Sequence, residues 1–140
     1  MGYKTPTYLE FGWASARFDD LVNWIPARLA GVFLCLAAAL GGHGAGRNAW
    51  RVMRRDARHH HSPNAGWPES AMAGALQVKL QGTRVYPGGE VLDDPWIGEG
   101  TPDATPAHIR RSLHLFVLGC VICAVVALAP LSVPAAIAFL

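Results

Sequence analysis

The chain has 140 residues, of which 51% are hydrophobic and only 16% are charged. This composition, with a mean hydropathy of +0.21, is unusual for a soluble domain and favours a membrane protein. The formal net charge of +2 is too small to indicate nucleic acid as a partner.

The first predicted segment is a polar lead helix over residues 1–28. Its core, FGWASARFDDLVNW, has no helix breaker after Gly12. Ser15, Asp19 and Asn23 recur at four-residue steps, which places them on one face of a helix. Asp20 and Asn23 are three residues apart and are also within reach of each other.

The second segment is an apolar helix over residues 29–42. It is shorter than the roughly 20 residues that cross a bilayer unless Trp24, Ile25 and Pro26 extend it. Two interpretations stay open, a transmembrane helix and a buried core helix. The GGHGAG run that begins at Gly41 is expected to end this helix.

The third segment, residues 43–112, is predicted to be a cytoplasmic loop rich in Gly and Pro. It opens with RNAWRVMRRDARHHH, which places four arginines on one helix face and Ala49, Met53 and Ala57 on another, as in a basic amphipathic helix. The arginines fit an anchor on anionic lipid better than a phosphate site. Adjacent histidines on a helix point in different directions, so His59 to His61 make a poor metal site.

The run SPNAGWPE, from Ser62 to Glu69, joins this basic helix to a second predicted helix, ESAMAGALQVKL. Pro63 and Asn64 favour a turn, and Gly66 allows a positive φ or a close approach. A helix-capping turn and a binding site explain the run equally well. The small residues after Glu69 predict close helix packing, and residues 81–107 are expected to form an ordered loop rather than strands.

The fourth segment, residues 113–140, carries no Lys, Arg, Asp or Glu and is predicted to be a transmembrane helix that kinks or ends near Pro130 and Pro134. A re-entrant tail is the alternative. Cys120 and Cys123 form a C-x-x-C spacing, but inside an apolar helix thiols behave as small hydrophobic groups. The predicted fold is therefore an all-α membrane protein with one or two transmembrane helices, amphipathic helices and a Gly/Pro-rich loop. The arginines place that loop on the cytoplasmic side of the cell inner membrane.

Oxygen-bearing side chains are frequent in the polar segments, and carboxylates with amides suit magnesium, which also takes water and nucleotide phosphate as ligands. Ordinary polar residues at a membrane interface explain the same pattern. The side chains concerned are Asp19, Asp20, Asn23, Asp56, Asn64 and Glu69.

Several separated runs resemble the CobD/CbiB family of cobalamin biosynthesis, the adenosylcobinamide-phosphate synthases. They are FGWASARFDDLVNWIPARLAG, RRDARHHHSPNAGWPESAMAGALQVKLQG, YPGGEV and PWIGEG. The resemblance covers essentially the whole chain and corresponds to the C-terminal half of the family's members. It implies a multi-pass membrane ligase that uses ATP and magnesium to join aminopropanol, or its phosphate, to adenosylcobyric acid.

The resemblance also implies site residues, whose roles we state as hypotheses. We expect Asn64, Glu69 and Asp20 to be catalytic, and Asp19, Asp20 and Asn23 to bind the metal. The expected substrate-binding residues are Arg28, Asp56, Ser62, Gly66 and Trp67.

Expected partners are the corrinoid, the amine, membrane lipid and the missing N-terminal half of the enzyme, with no nucleic acid and no tightly bound cofactor. Two other functions stay open. One is a membrane component that binds or transports corrinoids without forming a bond. The other is a non-catalytic half that only completes a helical bundle.

Overall fold

A computed structural model describes residues 9–85, 89 and 91–137. Five α-helices account for most of it, and they are listed here in chain order: α1 (Leu9–Val22), α2 (Trp24–Leu40), α3 (His43–Asp56), α4 (Gly66–Leu76) and α5 (Pro106–Ile137). A 3-10 turn, Ala57–His59, follows α3, and two strands, β1 (Leu80–Val85) and β2 (Val91–Ile97), lie between α4 and α5. The predicted features at residues 1–8, at 86–88 and 90 within YPGGEV, and at 138–140 lie outside the described residues.

Helices α2, α3 and α4 pack against one another, and α5 packs mainly against α2. Small side chains form much of their interface. The core is made of Cys35, Ala38, Ala49, Met53, Ala71 and Ala75. A Cβ on Gly74 would lie 2.8 Å from the Ala49 Cα atom, so the two backbones approach closely because neither residue carries a large side chain. The close packing predicted for this segment is confirmed.

Helix α3 is amphipathic as predicted. Ala49, Val52 and Met53 are buried, whereas Arg47, Arg51 and the other arginines of the helix are exposed. The 3.6-residue period of the apolar positions is sufficient to orient the helix, because burying any other face would desolvate several guanidinium groups.

Helix α2 begins at Trp24, so Trp24, Ile25 and Pro26 do extend the apolar run, and it ends at Leu40 before the glycines. Helices α1 and α2 are separated at Asn23, and their segments Gly12–Val22 and Trp24–Leu40 meet at 45°. By length and composition the pair is compatible with one broken membrane span.

Within the described residues one continuous helical stretch, Pro106–Ala129, is long and apolar enough to cross a membrane, and only 6% of its most apolar window is buried in the protein. The helix begins seven residues before Leu113. It continues through Pro130 and Pro134 to Ile137, which corrects the expected end near these prolines. Each proline removes only one main-chain hydrogen bond, and apolar helices tolerate that loss.

The all-α prediction was wrong in one respect, because β1 and β2 form an antiparallel hairpin. Two features hid it in the sequence. Gly82 (φ +74°) lies in a β-bulge, where an added Cβ would come within 2.4 Å of the Trp96 ring. Pro95 lies within β2, and a proline is tolerated there because each strand of a two-stranded hairpin has a free edge. The fold is thus mostly helical rather than all-α.

Candidate functional site

The SPNAGWPE run forms a tight turn that leads into α4. The Ser62 hydroxyl oxygen accepts hydrogen bonds from the main-chain N–H groups of Asn64 and Ala65, both at 3.3 Å. The Ser62 N–H in turn donates to His60 Nδ1 at 2.8 Å. Ser62 therefore fixes the backbone of the turn, as serine commonly does at helix starts.

Asn64 connects this turn to the end of α1. Its side chain is 7% exposed, and its Nδ2 donates to the main-chain carbonyl of Asp20 at 2.8 Å. Its Oδ1 is buried without a hydrogen-bond partner among the described residues. An unpaired buried acceptor costs about 1–3 kcal/mol, so this oxygen is a position where a ligand N–H or a water molecule would be stabilising.

Arg28 lies between two indole rings. Its Cζ is 3.8 Å from the centroid of the Trp24 ring and 4.7 Å from that of the Trp67 ring. One Nη1 hydrogen bond, 2.6 Å long, goes to the Trp24 carbonyl. The cation–π contacts hold the guanidinium plane while its other N–H groups can bind an anion.

Asn23, at the bend between α1 and α2, bonds Asp19 rather than Asp20. Its Nδ2 donates to the Asp19 carbonyl at 3.0 Å and to Asp19 Oδ1 at 3.1 Å. The shared face expected for Asp19 and Asn23 is therefore present. Asp20 contributes its main-chain carbonyl, which accepts the hydrogen bond from Asn64. Within the described residues, no group of three or more His, Cys, Asp or Glu side chains converges in a way that could hold a metal ion.

Gly66 and Asp56 contact the protein itself. A Cβ on Gly66 would lie 2.0 Å from the Ala57 carbonyl oxygen, so the close approach predicted at this glycine is made by the chain's own backbone. Asp56 is 1% exposed and accepts hydrogen bonds from Arg55 Nη2 at 2.7 Å and the Gly98 N–H at 2.9 Å. Gly66 thus packs the start of α4 against the 3-10 turn, and Asp56 ties the end of α3 to the residue that follows β2.

The electrostatics of Asp56 follow from these contacts. Burial by itself raises the pKa of a carboxyl group, but the hydrogen bonds from Arg55 and from the Gly98 N–H outweigh it, so the pKa of Asp56 is lowered. The carboxylate is therefore ionised at neutral pH although it is buried.

The three adjacent histidines face three different carboxylates. His59 Nδ1 is 3.9 Å from Asp56 Oδ1, and His60 Nε2 is 3.6 Å from Glu69 Oε2. His61 Nε2 is 2.6 Å from Asp94 Oδ1 on β2. The His61 hydrogen bond lowers the pKa of Asp94 against the opposing effect of burial, and Arg84 adds to the lowering. Glu69 thus lies at the start of α4 beside His60.

Sequence reasoning missed Trp24, Asp94 and Glu99. Glu99 binds Arg51 through Oε2 at 2.6 Å and binds Arg55 through Oε1. The signal for Glu99 was its place in PWIGEG, one of the runs that resemble the family. The signal for Trp24 was its spacing of four residues from Arg28, which puts both on one helix face.

Comparisons with known proteins are consistent with these motifs. The family described as CobD/Cbib protein matches residues 1–116. The cobalamin biosynthesis protein CobD of Rhodobacter capsulatus is 53% identical over 116 residues, which cover 83% of this chain and 35% of that protein.

The proteins of the same name from Geobacter metallireducens and Sinorhizobium fredii are similar too. The Geobacter protein is 60% identical over 71% of this chain and 30% of its own length. The Sinorhizobium protein is 50% identical over 86% of this chain and 37% of its own length. The chain therefore spans about a third of the length of the curated relatives it matches. No solved structure matches it.

Proposed function

Because this chain belongs to the CobD/CbiB family, we propose that it acts in cobalamin biosynthesis, in the ATP-dependent step that joins aminopropanol or its phosphate to adenosylcobyric acid. The product is adenosylcobinamide or its phosphate, and the enzyme class is a carbon–nitrogen ligase. The names of the relatives support the pathway, and the resemblance supports the reaction.

The observation that carries this proposal is the hydrogen bond between Asn64 Nδ2 and the Asp20 carbonyl. It joins the two runs that most resemble the family, although Asn64 and Asp20 are 44 positions apart in the sequence. Arg28 reaches the same turn through its contact with Trp67. A single surface thus offers a fixed cation, two aromatic rings and a buried amide.

The reaction needs an activated carboxyl group. Transfer of the γ-phosphoryl group of ATP to a propionate oxygen gives an acyl phosphate and ADP. The amine nitrogen then attacks the acyl carbon, the C–O bond to phosphate breaks, and the amine loses a proton as phosphate leaves. The chain must therefore stabilise negative charge on phosphate and orient an amine.

The described side chains fit these two tasks. The free N–H groups of Arg28 suit a phosphate oxygen. The unpaired Oδ1 of Asn64 can accept an N–H of the incoming amine, and Glu69 beside His60 is a candidate for taking up its proton. The Trp67 ring offers apolar area for the corrin.

The expected magnesium ion is proposed at the bend between α1 and α2. Asp19 and Asn23 contact each other there, and their remaining oxygens are the hard donors that magnesium prefers. A site with one carboxylate and one amide would rely on water and ATP phosphates for the other ligands. When bound, the ion would neutralise phosphate charge.

We further propose that α5 crosses the cell inner membrane and that the arginine face of α3 is cytoplasmic, where ATP is available. The exposed apolar side chains of α5, among them Phe116, Val117 and Val125, support contact with lipid. Since the chain spans about a third of its relatives, we propose that ligation also needs the remainder of the family's length as a partner.

The test is a binding titration of the full chain in mild detergent with adenosylcobyric acid, monitored by calorimetry. Asn64→Ala is expected to weaken binding about tenfold, since the hydrogen bond to the Asp20 carbonyl, which holds the turn beside Trp67, is lost. Asn48→Ala is the matched control, because Asn48 Nδ2 also donates to a main-chain carbonyl, that of Gly74, at 2.7 Å.

Saturable binding that falls in Asn64→Ala and persists in Asn48→Ala would support the corrinoid site. Addition of magnesium, ATP and aminopropanol phosphate, together with the remainder of the family's length as a separate chain, then tests for ligation by product detection with mass spectrometry. The absence of binding by a chain whose helical circular dichroism is intact, or equal losses in both variants, would contradict the proposal.

A further inference from the structure

A polar cavity of about 550 Å³ lies between α3, the end of β2 and the start of α5. The proposed corrinoid site shares no residue with it. The polar side chains that line it are Asn48, Arg51, Gln77, Glu99, Thr101, His108 and Arg111. Nothing in the proposed ligation reaction uses them.

The one carboxylate of this cavity is already neutralised. Arg51 Nη2 donates to Glu99 Oε2 at 2.6 Å, and Arg55, outside the lining, donates to the other oxygen. Arg51 Nη2 is also bonded to Asn48 Oδ1 at 2.6 Å. Because Arg55 also pairs with Asp56, the two guanidinium groups together balance two carboxylates, Glu99 and Asp56. The Nη1 and Nε groups of Arg51 have no hydrogen-bond partner among the described residues and remain available.

Two further donors face the cavity from the first turns of α5. The side chain of Arg111 is exposed and makes no hydrogen bond or ion pair with any other residue in the part of the chain that the structure describes. His108 Nδ1 accepts the Thr105 N–H at 3.1 Å, so its proton is on Nε2, which is then a donor. The cavity thus contains a positive charge, that of Arg111, which no described carboxylate balances. It also contains N–H groups that no described acceptor uses.

We propose that this cavity binds a phosphate group, held by Arg51 and Arg111 with His108 as a third donor. Guanidinium forks match phosphate oxygens, and three donors from two helices suit a tetrahedral anion better than a planar carboxylate. Because the cavity lies where the apolar stretch of α5 begins, the phosphate can belong to an anionic lipid headgroup or to a soluble phosphate compound.

The test compares three probes on the detergent-solubilised full chain by calorimetry: dihexanoyl phosphatidic acid, dihexanoyl phosphatidylcholine and inorganic phosphate. Arg111→Gln is expected to weaken binding of phosphatidic acid and of inorganic phosphate about fivefold to tenfold. Arg110→Gln is the matched control. It removes the same charge at the neighbouring position, and the Arg110 side chain does not line the cavity.

Loss of phosphatidic acid binding in Arg111→Gln, with Arg110→Gln unchanged, would support the site with lipid as its source. The same pattern with inorganic phosphate at comparable affinity would support a soluble phosphate compound. Equal losses in both variants, equal binding of phosphatidylcholine, or no binding of any probe would overturn the proposal. None of these outcomes depends on corrinoid binding.

Discussion

Gly66→Ala separates two explanations of the glycine in SPNAGWPE. A Cβ at this position would lie 2.0 Å from the Ala57 carbonyl oxygen and 2.9 Å from His60 Cβ. Cβ atoms essentially never come closer than 3.0 Å to such neighbours, so the backbone of the 3-10 turn must move by about 1 Å.

The cost can be worked out from this geometry. Overpacking typically destabilises a protein by about 1–3 kcal/mol. We expect Gly66→Ala to lie at the upper end of this range, because the atom it would clash with is a main-chain oxygen in a turn rather than the end of a flexible side chain. Replacing glycine by alanine recovers about 0.4–1 kcal/mol by restricting the unfolded chain. The expected net loss is about 2 kcal/mol, or roughly 4–8 °C in melting temperature for a chain of this size.

The assay is thermal unfolding in mild detergent, followed by far-ultraviolet circular dichroism. Gly44→Ala is the control, since a Cβ there meets nothing within 4 Å and a helix position favours alanine, so its melting temperature should be unchanged or higher. If Gly66→Ala melted like the wild type and only bound ligand less well, the glycine would serve ligand approach and the packing argument would be refuted.

Three further predictions concern charged groups. Asp56→Asn removes the ion pair with Arg55 but keeps an acceptor for the Gly98 N–H, so we expect a loss of about 1–2 kcal/mol by the same thermal assay; an unchanged melting temperature would contradict it. The pKa of Asp94 is lowered by His61. The ionised Asp94 carboxylate therefore stabilises the folded protein fully at pH values above the ordinary carboxyl pKa, and this stabilisation is lost as the pH falls below it. Near-ultraviolet dichroism should therefore change in this acidic range, and less so in Asp94→Asn; equal acid transitions would argue against the pair. Arg28→Lys keeps the charge but not the planar stack, and we expect a shift in tryptophan emission and about 0.5–1 kcal/mol less stability; an unshifted spectrum would speak against the indole sandwich.

Much of the helical architecture could be predicted from local patterns. The apolar period of α3 was sufficient to identify its buried face, and the glycines after Leu40 were sufficient to end α2. The small residues of α4 predicted its close packing on α3. These features depend on neighbours within one or two helical turns, so the sequence contains them directly.

The family assignment also came from the sequence, because SPNAGWPE and the runs around it resemble known members, and the family match confirms it. Resemblance indicated which residues to examine but not what they contact. Ser62 fixes a turn through its hydroxyl group, and Gly66 leaves room for the carbonyl group of Ala57. The roles proposed for Asn64 and Glu69 stay predictions.

The tertiary structure alone decided the hairpin, the Glu99 ion pairs and the contact between Asn64 and Asp20. Gly82 and Pro95 are strand breakers by local preference, yet the two strands pair because each supplies the other's main-chain hydrogen bonds. The Glu99 pairs and the Asn64 contact join residues 44 or more positions apart. Contacts at such separations depend on how whole helices pack, and no local period or propensity encodes them.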